Sequence, residues 1–176
     1  MFRTASLSTK LIRIGASLLV VALASISLTL WVTWQLEGGA AAVNEAGRMR
    51  MQTWRLASAV QTSLSPASLG SLVSQFDDSL KLLRTGDPSR PLFVPWDDDV
   101  DVKFAEVDRI WTQRRGQWLA AAPMSATESV MAAEEFVTAI DALVLSIEQQ
   151  LSRLTAILNL FQFVMMALAI IGAVVM

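Results

Sequence analysis

Three arginines, Arg48, Arg50 and Arg55, lie in one short run of the chain, where they could bind an anion. Each guanidinium is permanently charged, and its planar set of donors matches the oxygens of a planar oxyanion. Glu45 is the only acidic residue between Asn44 and Arg55, so the local charge is positive. Arginines a few turns beyond a membrane also face solvent or phospholipid headgroups, and spacing alone leaves that alternative open.

The residue types present do not favour a metal, cofactor or catalytic site. The chain has no histidine and no cysteine, which are the usual ligands of zinc and haem. A serine–histidine–aspartate triad and disulfides are excluded for the same reason, and no glycine-rich phosphate loop is present. Two carboxylates could serve a glycosidase, but the scattered acids favour solvated helix faces. We therefore predict no catalytic activity, no metal and no cofactor.

Two long apolar segments predict a membrane protein. Residues 14–36 and 154–176 contain no charged side chain, and each is long enough to cross roughly 30 Å of hydrocarbon as a helix. A cleaved signal peptide is the alternative for the first segment. Its apolar run is longer than the core of such a peptide, and Trp31 and Trp34 stand where interfacial anchors belong.

The charges on either side of the first span predict its orientation. Arg3, Lys10 and Arg13 precede it without an acidic residue, so residues 1–13 are expected in the cytoplasm and 37–153 across the membrane. Of 14 Lys and Arg, 11 follow the first span against all 16 acids, which leaves the outer segment near −5. An acidic domain argues against nucleic acid as a partner.

The outer segment is predicted to be all-α. Helix one continues from the first span to Ser65-Pro66, where serine suits a cap and proline a first helical position. Helix two ends at Gly86, predicted to be a left-handed cap, and a proline-containing loop covers 87–99. The predicted apolar face of helix two consists of Leu69, Leu72, Val73, Phe76, Leu80 and Leu83.

Helix three follows the loop and is expected to end near Ala122-Pro123. Ser125 and Glu128 have the spacing of a capping box, and helix four has no breaker from there to Met176. Short connections predict an antiparallel up-down-up-down four-helix bundle, continuous with the two membrane helices. The apolar side of helix three is Val100, Phe104, Val107, Ile110 or Trp111, and Trp118.

Helical spacing separates the three arginines. Arg50 shares a mostly apolar stripe with Val43, Gly47, Trp54 and Ala57, whereas Arg48 and Arg55 share a different face. A charge in such a stripe is costly unless it is paired. Gly47 would allow another backbone to approach, and two-fold pairing of this helix would bring Arg50 against its own copy. An anion between the two guanidiniums would relieve their repulsion.

The run also resembles a known family motif. Residues Asn44-x-Ala46-Gly47-x-x-Arg50-Met51-Gln52-x-x-Arg55-Leu56 are similar to the periplasmic P-box of nitrate/nitrite sensor histidine kinases of the NarX and NarQ type, whose sensory bundle is shared with PilJ-type chemoreceptors. The likeness covers nearly the whole chain. It extends to Gly86-Asp87-Pro88-x-Arg90-Pro91-Leu92-x-x-Pro95-Trp96-Asp97, to Trp111 and Trp118, and to Phe136-Val137-x-x-Ile140-Asp141-x-Leu143-Val144.

This resemblance implies a homodimeric periplasmic sensor in the bacterial inner membrane. Nitrate, and more weakly nitrite, would bind between the two first helices, with Arg50 as primary ligand and the Gly47 backbone beside the anion. Arg55 would affect the response, and Asn44 and Met51 are further motif positions. The chain departs from the motif of the enteric members of this family at two places. Arg48 stands where those members have a small polar residue, and Thr53-Trp54 stands where they have Ser-Tyr.

The resemblance also implies an output region after the second span. Members of the family carry a HAMP linker followed by a kinase core or a chemoreceptor signalling domain, so we expect this chain to be either a fragment of a longer sensor or a partial reading frame. A cytoplasmic response regulator would be a partner only through the missing kinase. Two alternatives stay open: the input domain of a PilJ-like chemoreceptor with another ligand, and a membrane scaffold that binds no ligand.

Overall fold

The computed structural model describes residues 7–62, 64–87, 89–120 and 124–175. Within these ranges the chain is all-α and contains no strand, which confirms the predicted fold class. It has four helices: α1 at Leu7–Gln61, α2 at Pro66–Thr85, α3 at Asp98–Trp118 and α4 at Ala126–Val175.

The chain divides into two compact units. One contains the residues up to Trp34 and those from Arg153 onward, and the other contains Gln35–Ser152. Helices α1 and α4 contribute to both units, whereas α2 and α3 belong entirely to the second.

The first unit has the surface of a membrane-embedded helix pair. Helices α1 and α4 each contain a window that is long and apolar enough to cross a bilayer, and almost none of either window is buried. Large apolar side chains are exposed along both, which water would disfavour and lipid would accept. They include Leu18, Leu19, Val20, Ile26, Leu30, Leu160, Phe163, Leu168, Ile170 and Ile171.

In the Gln35–Ser152 unit, contacts between helices fix an antiparallel bundle. The end of α2 meets the start of α3 through the pair of Arg84 with Asp101, at 2.8 Å. Helix α1 meets α4 with opposed numbering: Gly39 lies against Leu151, and further along α1 Arg50 pairs with Asp141. Neighbouring helices therefore run in opposite directions, as short connections require.

The core of this unit is centred on three aromatic rings from three helices. Phe76 of α2 stacks on Trp111 of α3 with ring centroids 4.1 Å apart, and it lies 5.1 Å from Phe136 of α4. Helix α1 completes the core with small and flexible side chains, including Ala46 and Met49, both fully buried. All the predicted apolar positions of α2 and α3 are buried except Leu69, which is half-buried, and both Ile110 and Trp111 lie inside.

The predicted helix starts are confirmed. Ser65 caps α2 with its side chain, which accepts from the backbone N–H of Ser68, and proline follows at the first helical position. At the start of α4 the capping box is complete. The Ser125 backbone N–H donates to Glu128 Oε2 at 2.8 Å, and the Glu128 N–H donates to Ser125 Oγ at 3.2 Å.

Three predicted ends need correction. Helix α1 ends at Gln61, before the predicted Ser65. Gly86 does close α2 with a positive φ of 72°, but its ψ of 178° is extended and not left-handed helical. That conformation is essentially limited to glycine, and the chain leaves at once for the Asp87–Leu92 bridge. Helix α3 ends at Trp118, earlier than predicted. The expected breaker Ala122-Pro123 and the proline after Gly86, Pro88, lie outside the described residues.

Asp77 links α2 to α3 at the edge of the core. It accepts from the indole N–H of the buried Trp111 at 2.7 Å and from the Arg115 guanidinium at 2.7 Å. Partial burial tends to raise the pKa of Asp77, but the bonds from Arg115 and Trp111 and the charge of Arg115 outweigh it, so the pKa lies below its ordinary value of 3.8. A carboxylate with a lowered pKa stabilises the fold above its ordinary pKa.

We expect this contribution to disappear in acid. As the pH falls from about 4 through the lowered pKa of Asp77, the folded chain must protonate a bonded carboxylate and loses stability. Asp77→Asn should remove this part of the acid dependence, and Asp77→Ala should additionally leave the Trp111 N–H without an acceptor, at a cost of about 1–3 kcal/mol. Thermal unfolding of the full chain between pH 3 and 7 measures both effects. Equal acid profiles for wild type and Asp77→Asn would contradict the assignment.

Candidate functional site

The arginine run lies on α1 within the Gln35–Ser152 unit, and core packing fixes its rotation. Ala42, Ala46, Met49 and Leu56 follow one face of the helix and are buried. This face holds α1 against the bundle, so the residues between these positions are directed toward the neighbouring helices or away from the bundle.

Arg50 lies on the α4 side of α1 and reaches a carboxylate there. Its Nη1 donates to Asp141 Oδ1 at 2.8 Å, and the two side chains are 43% and 51% exposed. The charge is therefore paired, yet both partners remain open to solvent. An anion could reach the free edge of the guanidinium without disturbing the core.

Gly47, one turn before Arg50, is open on its outer side. A Cβ atom built there would meet only Arg50 Nη2, at 3.4 Å. Among the described residues, no backbone from another element comes within 4 Å of this Cβ position, so the predicted close approach is not made within the described part of one chain. It stays a prediction for a second copy.

The stripe around Arg50 is covered only in part by its own chain. Val43 is half-buried, and Trp54 is 41% exposed. Met51, a further position of the motif, is 54% exposed, and Asn44 is exposed. A surface with a half-open guanidinium, a glycine and exposed apolar side chains is suited to packing against another helix.

Arg48 is engaged on a different side of α1. Its guanidinium pairs with Glu45 one turn earlier and donates to Ser79 Oγ of α2 at 3.3 Å. Glu45 is only 4% exposed and also lies 3.9 Å from Arg90 of the α2–α3 loop. Arg48 is thus held by contacts within the chain that tie α1 to α2.

Arg55 faces the groove between α1 and α2. It is exposed, and among the described residues it has no hydrogen bond or ion pair. The predicted separation of Arg50 from Arg48 and Arg55 is confirmed, because Arg50 contacts α4 while the other two lie toward α2. Within one chain, a small anion bound to Arg50 would therefore not also contact Arg55.

Sequence reasoning missed the partner of Arg50 and two close contacts. Asp141 is 91 residues from Arg50 in the sequence, and no contact or function was predicted for it. A Cβ atom at Gly38 would lie 2.2 Å from the Phe93 ring, and one at Gly39 would lie 2.4 Å from Leu151. The adjacent pair of glycines in a helix was the available signal, since glycine costs a helix about 1 kcal/mol relative to alanine unless space requires it.

A four-helix fold with two candidate membrane spans is the architecture of a membrane-anchored helical domain. Residues 31–136 match the PilJ family, described as the N-terminal region of type IV pili methyl-accepting chemotaxis transducers. The match covers more than half of the chain, which therefore belongs to this family. The family is a sensory, non-catalytic one, and it places this chain among membrane signal-transduction proteins. No curated protein is significantly similar to the chain.

Proposed function

We propose that the Gln35–Ser152 unit binds nitrate, and more weakly nitrite, between the α1 helices of two copies of the chain. The observation that carries the proposal is the half-open Arg50 guanidinium in a stripe that its own chain covers only in part. Two such surfaces related by a two-fold axis would bring two guanidiniums together, and a planar oxyanion between them accepts hydrogen bonds from both.

Gly47 supports the same arrangement. The glycine has free space where α1 would meet its copy, so two backbones could approach closely enough for both Arg50 side chains to reach one small anion. Arg48 and Arg55 are proposed as supporting residues and not as primary ligands, since Arg48 donates to Ser79 of α2 and Arg55 faces the groove between α1 and α2.

Asp141 gives the proposed site a competing partner. The Asp141 carboxylate occupies one edge of the Arg50 guanidinium. A bound oxyanion shares or replaces that contact and so changes how α1 is held to α4. A ligand that binds two arrangements of these helices unequally shifts their populations, which is the requirement for a signal.

The proposed sensor lies in the bacterial inner membrane, with residues 1–13 in the cytoplasm, spans at 14–36 and 154–176, and residues 37–153 in the periplasm. Positive charge before the first span supports this orientation. The proposed output is a histidine kinase acting on a response regulator.

A chemoreceptor is the second candidate for the output, and one observation favours it. The family that the chain belongs to is named for methyl-accepting chemotaxis transducers. The input mechanism at Arg50 is the same in both cases. The amino-acid sequence that follows the second span in the gene separates them, since a kinase core and a methyl-accepting coiled coil have different sequence patterns.

An anion series on the full chain in detergent or nanodiscs tests the proposed ligand. We expect nitrate to raise the unfolding temperature strongly, nitrite less, and chloride and sulfate little at equal ionic strength. At a hundredfold excess over the dissociation constant, a ligand that binds only the folded dimer adds about 2.7 kcal/mol. An equal response to all four anions, or none, would overturn nitrate recognition.

A further inference from the structure

The groove between α1 and α2 has the composition of a second ligand site. It is a shallow groove, open to solvent, with a volume of about 580 Å³, which is far more than a four-atom anion fills. Among the described residues, those that line it include one cation and no acid. They are Met51, Trp54, Arg55, Ser58, Ala59, Thr62, Leu64, Ser68, Ser71, Leu72 and Gln75.

Arg55 is the unusual member of this set. Between Gln35 and Ser152 the chain has eight arginines, and seven of them pair with a carboxylate of the same chain. The paired ones are Arg48, Arg50, Arg84, Arg90, Arg109, Arg114 and Arg115. In an acidic unit with this many available carboxylates, an arginine left without one has its charge open to an external anion.

The side chains around Arg55 indicate the chemistry of an anion that could bind there. Trp54 and Met51 are 41% and 54% exposed on one wall of the groove, and Leu64 is 40% exposed at its end. Burying an aromatic or aliphatic body against them is favourable. The hydroxyl groups and the Gln75 amide that line the rest can accept or donate further hydrogen bonds.

We propose that this groove binds an organic carboxylate with an apolar body. Its carboxylate accepts hydrogen bonds from the Arg55 guanidinium, and its apolar part packs against Trp54 and Met51. The charged anchor of the groove is distinct from that of the proposed nitrate site, because Arg50 lies on the α4 side of α1, whereas Trp54 and Met51 border both surfaces. The inference does not depend on nitrate binding, and it gives the sensory unit two ligands of different chemistry.

The test is a titration of the full chain, in nanodiscs, with 4-fluorobenzoate, followed by its fluorine resonance. We expect saturable binding in the wild type. Acetate, which lacks the apolar body and carries no fluorine, should displace 4-fluorobenzoate only with a dissociation constant at least tenfold weaker, and 4-fluorobenzyl alcohol, which lacks the charge, should bind at least tenfold more weakly. Arg55→Gln should weaken 4-fluorobenzoate binding by roughly tenfold or more, since a charge-assisted hydrogen bond is lost. Trp54→Ala should weaken it independently.

Two exposed arginines outside the groove provide matched controls. Arg84→Gln and Arg109→Gln remove the same charge from exposed side chains of α2 and α3, so 4-fluorobenzoate should bind both as it binds the wild type. Equal binding to Arg55→Gln and wild type, tighter binding of acetate than of 4-fluorobenzoate, or loss of binding in Arg109→Gln would each overturn the proposal. Failure of the nitrate series leaves these outcomes unchanged, so the two proposals fail separately.

Discussion

Replacement of Phe76 by alanine is expected to destabilise the Gln35–Ser152 unit by about 3–5 kcal/mol, the usual cost of deleting a fully buried phenylalanine. The Phe76 ring is completely inaccessible to solvent, and it contacts Trp111 of α3 and Phe136 of α4. Because these two rings are themselves stacked 5.8 Å apart, neither can fill the gap without breaking the other contact. The cavity would therefore remain, and its lining would lose contacts on one side.

Thermal or denaturant unfolding of the full chain, followed by near-ultraviolet circular dichroism of the tryptophans, measures this loss. Val102→Ala is the control, since Val102 lies on the outer side of α3 and is 63% exposed; its change should stay within about 0.5 kcal/mol. A loss of less than 1 kcal/mol for Phe76→Ala would show that the aromatic cluster does not hold the three helices together.

The helices could be predicted because their signals are local. An apolar residue every three or four positions marks the face of α2 that packs inward, and the capping residues Ser65 and Ser125 act on the turn that follows them. Gly86 was predicted only in part. Its positive φ follows from residue type, but its extended ψ depends on where the next residues go, and Asp87 bonds to Leu92.

The site was less predictable because its contacts are distant in sequence. Helical spacing placed Arg50 apart from Arg48 and Arg55, since faces depend only on residue number. It could not identify Asp141 as the partner, because that contact depends on the register of α4 against α1. Nor could it show that Glu45 is buried, since a carboxylate is excluded from water only when neighbouring helices cover it.

The pairing of Arg50 with Asp141 gives the candidate site a property that a simple arginine cluster lacks. The two residues join α1 to α4, the helices that contribute both to the Gln35–Ser152 unit and to the apolar unit. An anion that draws Arg50 away from Asp141 therefore acts on a contact between these two helices. A mutation of either residue should alter nitrate binding, but in opposite directions.

Arg50→Ala is expected to abolish the proposed stabilisation by nitrate, because the proposed primary donor is lost, and so to remove the shift of about 2.7 kcal/mol at a hundredfold excess of ligand. Asp141→Asn should have the opposite effect. The 2.8 Å ion pair is solvent-exposed on both sides, and such pairs contribute about 0.2–1 kcal/mol. Removing the competing carboxylate should then tighten nitrate binding by up to about fivefold.

Arg84→Ala and Asp101→Asn are matched controls for this pair of variants. They remove the same groups from an exposed pair with the same 2.8 Å separation, placed between α2 and α3, so they should leave the dissociation constant for nitrate unchanged. Titration of all four variants by nitrate-dependent thermal shift separates two roles for Asp141. Tighter binding in Asp141→Asn identifies the carboxylate as a competitor of the anion. Weaker binding would mean that Asp141 orients Arg50 toward the ligand, and it would contradict the proposal that the ligand competes with Asp141 for Arg50.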